Sequence, residues 1–207
     1  EIMKIRVDSS SGNTSPAGME TSMTGALAEQ RVLADFMDAF MRTSGLPLEL
    51  SAKEFPGSDC CGMKRPGFCK LIHGTNSPIL RQVCALFNRQ LEEMAVDHPH
   101  DARCFAGIQL TAVPVRKSSE HVEYFKTGHV MTERPAAGDF PKVMHQLSSA
   151  GLKALTQKAK EAWLAIPVAD EERYRAFVDL LDAFARKISV EAKEEEVPSD
   201  HPDSLMM

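Results

Sequence analysis

The sequence predicts an α+β domain in which an antiparallel sheet is flanked by helices, with amphipathic helices at both ends. Three observations carry that prediction. Apolar residues recur at helical spacing near both ends and in the middle of the chain. Between Arg103 and Met131 the period shortens to two, as in strands. The turn formers that separate these stretches fall where a helix or strand has to stop. At 207 residues and 43% hydrophobic composition the chain supports one core-bearing domain, assigned to residues 25–190. A disordered leader is expected at 1–24 and a flexible acidic tail at 191–207.

The leader is rich in Ser, Gly, Thr and Asn and buries too little apolar surface to offset its ordering entropy. From Leu27 the pattern is helical, with Leu33, Phe36, Met37 and Phe40 on one face and Gly45 and Pro47 as the stop. Leu48, Leu50 and Ala52 then alternate as in a strand that ends before Pro56. Residues 55–67 form a loop rich in Gly and Pro that carries the vicinal Cys60 and Cys61, and a short helical turn follows over residues 68–73.

Ser77 and Pro78 predict a helix start twice over. The serine side chain can cap orphan amides, and the proline presets the backbone angle of the first turn. Leu80, Cys84, Phe87, Leu91 and Met94 repeat at steps of four and three, so they form the buried stripe of this helix, which ends before residues 98–100. Two antiparallel strands follow: Ile108, Leu110 and Ala112 alternate before Pro114, and Val122, Tyr124 or Phe125, and Val130 come after a polar turn at residues 117–120. The helices are expected on one face of this sheet.

Helical segments are expected over residues 140–147 and 152–164, and a last helix from Asp170. Glu171 and Glu172 stand at its positive end and Arg186 and Lys187 near its negative one. Its stripe of Tyr174, Phe177, Leu181, Phe184 and Ile188 is as wide as a two-helix seam. That stripe serves either a homodimer through the terminal helices or the chain's own sheet.

The net charge of -5 supplies no field that would attract nucleic acid, so no direct nucleic-acid contact is expected. No segment approaches the roughly 20 apolar residues of a membrane span, and no signal-peptide pattern opens the chain, which points to the cytoplasm. Five cysteines, an odd number without a framework of pairs, fit a reducing compartment.

The segments Phe68-Cys69-Lys70-Leu71-Ile72, Cys84, Cys104-Phe105-Ala106-Gly107-Ile108, Pro114 and Gly128-His129-Val130, in this order and spacing, resemble the PocR ligand-binding sensory domain. The similarity runs from Leu27 through Ala162, Ile166 and Pro167 to Ile188. It implies a variant of the PAS/GAF fold, found in bacterial AraC-type transcription regulators and sensor kinases. It also implies a small-molecule ligand, a short hydrocarbon derivative such as a diol. The sequence departs from the family pattern at His129, where glutamine is common, and in the Cys60-Cys61 pair.

The expected ligand-binding residues are Cys104, Ile108, Tyr124 and His129, in a mostly apolar cavity between sheet and helices. A second reading keeps the fold and changes the signal: Cys69, Cys84 and Cys104, with Cys61 as a fourth thiolate, would hold zinc or an iron-sulfur cluster. The long spacers between these cysteines lack the close pairs of zinc motifs, and each thiol reads equally as a small buried hydrophobe. His73 and His129 read either as ligands or as structural groups. A third reading, a GAF-type thiol enzyme, needs an exposed cysteine of lowered pKa. Cys84 on an apolar stripe offers neither, which leaves only the loop pair. The expectation is a binding domain and no enzyme.

Overall fold

The computed structural model describes residues 17–52, 65–149 and 156–189. Its elements are α1 (Ala17–Ser44), β1 (Leu48–Ala52), α2 (Gly67–His73), α3 (Pro78–Met94), β2 (His100–Arg103), β3 (Gln109–Arg116), β4 (Val122–Val130), α4 (Phe140–Ser149), α5 (Thr156–Leu164) and α6 (Glu171–Ile188). The four strands form one antiparallel sheet in the order β1-β4-β3-β2. The α+β class is therefore as the sequence predicts.

Local chemistry sets most boundaries where the sequence places them. Gly45 takes a left-handed φ of 72° and donates its N–H to Met41 O at 3.1 Å, which closes α1. Ser77 caps α3 by accepting from Leu80 N–H, and Asp170 caps α6 by accepting from Arg173 N–H at 2.9 Å. The first turns of α1 fall inside the segment expected to be disordered, since the helix begins at Ala17, upstream of Leu27. Ala, Met and Glu in that stretch are among the strongest helix formers and continue the periodic segment backwards. The remaining leader, most of the expected Cys60-Cys61 loop, residues 152–155 of the fifth helix and the acidic tail lie outside the described residues.

Two expectations about the sheet are corrected. First, helices cover both of its faces. One face packs Leu110, Ala112 and Tyr124 against α2, α3, α4 and α5 through Phe68, Ile72, Leu91, Val143 and Trp163. The other packs Val113, Val115 and Phe125 against α1 and α6 through Phe40, Tyr174, Leu181 and Ala185. Every residue of β3 from Gln109 to Val115 is buried, as this two-sided cover requires. Second, the two strands expected between Arg103 and Met131 are preceded by a third, where only the end of a helix was expected. The short edge strand β2 was not legible because its residues, His100 to Arg103, are mostly polar.

β3 also continues through Pro114 instead of stopping before it. Its partner β2 reaches only as far as His100↔Ala112, so the missing N–H of Pro114 interrupts no ladder on that side. In α3, Met94 is 64% exposed, while Ala95, the C-cap residue that leaves helical geometry at φ -89° and ψ 54°, is fully buried, so the buried face of the helix ends at Leu91.

The apolar stripe of α6 packs on the chain's own sheet. Phe184 stacks on Phe36 of α1 with ring centroids 3.5 Å apart, and both rings lie against Phe125 of β4. The seam-like spacing is thereby used within the chain.

Candidate ligand-binding site

The site is built on the sheet face under α2 and α3. Directly paired residues of antiparallel strands share a face, so Glu49 of β1 and Lys126 of β4 stand side by side, and so do Ser51 and Tyr124. Lys126 Nζ reaches Glu92 of α3 at 3.0 Å, and Ser51 Oγ lies 3.4 Å from the same carboxylate. The lysine side chain is only 7% exposed, so this ion pair ties α3 to the centre of the sheet. Together these groups form a polar belt on an otherwise apolar face.

Burial shapes the electrostatics of the belt. Glu49 is pushed above the usual carboxylate range, chiefly by desolvation and further by Glu92, with Lys126 and Arg65 opposing. Desolvation likewise raises the Tyr124 phenol, and Glu92 adds to the effect. His129 is lowered to about 4, first by burial and then by the positive charges of Arg65, Lys126 and His73. Its imidazole is therefore neutral at pH 7. Glu49 Oε2 and His129 Nδ1 are buried, and neither has a hydrogen-bond partner among the described residues.

His129 owes its position to a β-bulge. Leu110 pairs with Gly128 and Gln109 with Val130, so His129 is the extra residue of β4. It sits at φ 58° and the preceding Gly128 at φ 113°. A Cβ on Gly128 would come within 2.6 Å of Gln109 O and 2.9 Å of Tyr174 Oη, so only glycine fits. The bulge also reverses the alternation of β4. Tyr124 faces the α2/α3 side and Phe125 the α6 side, whereas beyond the bulge Val130 faces α6 and Met131 faces α2/α3.

Of the four residues expected to bind ligand, Ile108 and Tyr124 belong to the core under α2 and α3, and Cys104 packs against it. His129 faces the positive groups of that side. Cys104 opens a tight turn in which Gly107 N–H donates to Cys104 O at 2.8 Å and Cys104 N–H to Ile108 O at 3.0 Å. The Trp163 indole donates to Ala106 O at 2.8 Å and pins that turn. Burial pushes the Cys104 thiol up, so it is protonated at neutral pH.

The three cysteines of the expected metal set that are described do not converge. Among the described residues no three His, Cys, Asp or Glu side chains gather to hold an ion, so Cys69, Cys84 and Cys104 do not form one site. Cys69 and Cys104 pack on the core under α2 and α3, while Cys84 lies half-buried on α3 and Cys61 is outside the described residues.

Sequence reasoning missed Glu49, Ser51, Glu92 and Lys126. Each is a polar residue in an amphipathic element, where the pattern assigns it to solvent; only the pairing of β1 with β4 brings them under α3. On the opposite face a polar groove of about 760 Å³ opens between β2 and α6, with Asp101, Arg103, Thr111 and Tyr174 in its lining. Several of its polar groups bond one another, with Thr111 Oγ1 2.7 Å from Tyr174 Oη and Gln109 Nε2 2.6 Å from Asp101.

No helix among the described residues is long and apolar enough to cross a membrane. No curated protein and no solved structure matches the chain. A family model described as the sensory domain found in PocR matches residues 27–193, a span that includes every strand of the sheet, the bulge at His129 and all of α6. With most of its length matched by a sensory rather than a catalytic family, the chain belongs to the PocR sensory-domain family.

Proposed function

We propose that the domain is the ligand-binding module of a bacterial cytoplasmic signalling or transcription-regulatory system, and that its ligand is a small uncharged hydrocarbon derivative bearing one or two hydroxyl groups, such as a short diol. One observation carries this reading. Glu49 Oε2 and His129 Nδ1 are buried polar atoms without a partner among the described residues, on a face otherwise lined by Ile108, Leu110, Tyr124 and Phe68. A buried polar atom left unsatisfied costs about 1–3 kcal/mol, which a ligand hydroxyl would recover at either atom. The apolar lining accommodates the hydrocarbon part.

The belt also supports an uncharged ligand over a charged one. Lys126 and Glu92 already neutralise each other at 3.0 Å, Arg65 stands as an opposite charge to Glu49, and the neutral His129 adds no charge. Thiol chemistry is a poorer fit, because burial holds the Cys104 thiol in its protonated, unreactive form. The signal would leave through α1 and α6, whose outer faces keep Val32 and Leu180 exposed for an output partner.

Thermal melting of the whole chain against a panel of short alcohols, diols and carboxylic acids tests the reading. A bound diol at a hundred times its dissociation constant stabilises the fold by about 2.7 kcal/mol and raises the melting temperature by several degrees. The acids should be inert. If no hydroxylated member of the panel raises the melting temperature, the reading fails.

A further inference from the structure

The bulge that positions His129 is fastened to α6 at two places. Inside the sheet, Tyr174 of α6 sits directly over Gly128, leaving no room for a Cβ, and its hydroxyl is 2.7 Å from Thr111 Oγ1 on the neighbouring strand. At the end of β4, Met131 N–H donates to Pro167 O and Ala169 N–H donates to Met131 O, both at 2.8 Å. Ala169 adjoins Asp170, the residue that caps α6. The segment 128–131 therefore borders the polar belt on one side of the sheet and holds the entry of the terminal helix on the other.

We infer that the Gly128–His129 bulge is the element that converts occupancy of the belt into a displacement of α6. The inference rests on the proposed ligand-binding role and adds the route by which binding is read out. His129 is a β-carbon-bearing residue held in the left-handed region, a disfavoured conformation that stores local strain in the bulge, as switch segments commonly do. A ligand that gives His129 Nδ1 its missing partner favours one ring orientation and, with it, one setting of residues 128–131. Because Gly128 has no room for displacement towards Tyr174 and Met131 is bonded through both its N–H and its C=O, that setting is passed through the backbone of residues 128–131 to the start of α6. Differential affinity for the two settings is all that the coupling requires.

Amide hydrogen exchange and histidine-selective NMR on the full chain test this. His129→Ala, made on the belt side, should speed exchange at Met131, Ala169 and the first turn of α6 by about tenfold while leaving α2 and α3 unchanged. Tyr174→Phe, made on the α6 side, should move the His129 ring resonances although it touches no belt residue. Exchange that rises uniformly through the chain, or His129 resonances that stay in place in Tyr174→Phe, would overturn the coupling. Neither variant measurement uses a ligand, so adding propane-1,2-diol to the native chain separates the two ideas. Coupled variants with no response to any diol would sink the ligand reading and leave the coupling; a diol that raises the melting temperature without altering exchange at Ala169 would sink the coupling alone.

Discussion

Lys126 of the central strand β4 and Glu92 of α3 form an ion pair at 3.0 Å, with the lysine side chain 7% and the glutamate side chain 19% exposed. A pair so far from solvent is more costly to break from one side than to replace as a whole. Lys126→Met should destabilise the domain by about 2–3 kcal/mol, and Lys126→Met with Glu92→Leu should recover much of that loss. Urea unfolding of the two variants measures both values. A double variant no more stable than the single one would show that the pair itself, and not the stranded carboxylate, supplies the stability.

The lowered pKa of His129 makes a signed prediction for acid. Unfolded, the imidazole binds a proton near pH 6.5; folded, it does so only at about 4. Between those values the unfolded state binds more protons, so stability is complete above pH 6.5 and falls as the pH drops towards 4, by on the order of 3 kcal/mol. His129→Gln removes the group, and the difference between native and variant unfolding free energies should therefore shrink across that window. A difference that is constant from pH 7 to pH 4 would contradict the assignment.

Tyr174 makes the opposite prediction in base. Burial pushes its phenol up to about 12 from 10, so the folded state retains a proton that the unfolded state gives up. Stability should fall as the pH rises from 10 towards 12, and Tyr174→Phe should abolish that part of the fall while costing about 1 kcal/mol at neutral pH for the lost bond to Thr111. Circular dichroism melts at alkaline pH give the comparison.

Gly128→Ala should be among the most damaging single substitutions in the chain, because the added methyl meets the backbone oxygen of Gln109 at 2.6 Å and the backbone stays at φ 113°. A loss of about 3 kcal/mol or more is expected. Tyr174→Phe in the same chain removes the hydroxyl at 2.9 Å but not the carbonyl, so it should not restore stability. Rescue by Tyr174→Phe would place the whole obstruction at the phenol.

Trp163 is the sequence's single tryptophan, and its indole holds the Cys104–Ile108 turn through Ala106 O. Trp163→Phe should keep the ring contact with Phe140 and lose the bond, at a cost of about 1–3 kcal/mol in thermal or chemical unfolding. In the native chain its fluorescence reports on the α2/α3 side of the sheet alone, which suits it to following ligand addition there.

The elements with strong periodicity or caps were legible in the sequence. Ser77-Pro78 and Asp170 start helices through mechanisms confined to one turn, and Gly45 ends one in the same way. What local pattern cannot carry is pairing. The polar residues His100 to Arg103 become a strand only because β3 lies beside them, and Glu49, Ser51 and Lys126 become neighbours of Glu92 only through the register of β1 and β4. His129 was legible as a departure within a familiar segment, but its left-handed backbone depends on Gln109 and Leu110 across the ladder.

Because β4 alternates between the two cores, its residues divide into interleaved sets: Tyr124 and Lys126 on the belt side, Phe125 and Thr127 on the side of α1 and α6. Each set can change with little disturbance to the other. A lineage could exchange Lys126 or its neighbours to recognise a new molecule while Phe125 and its aromatic stack preserve the same mechanical output. Gly128 and His129 are where the interleaving breaks and the two sets trade sides, so they form the one step of the strand that neither specialisation can alter alone.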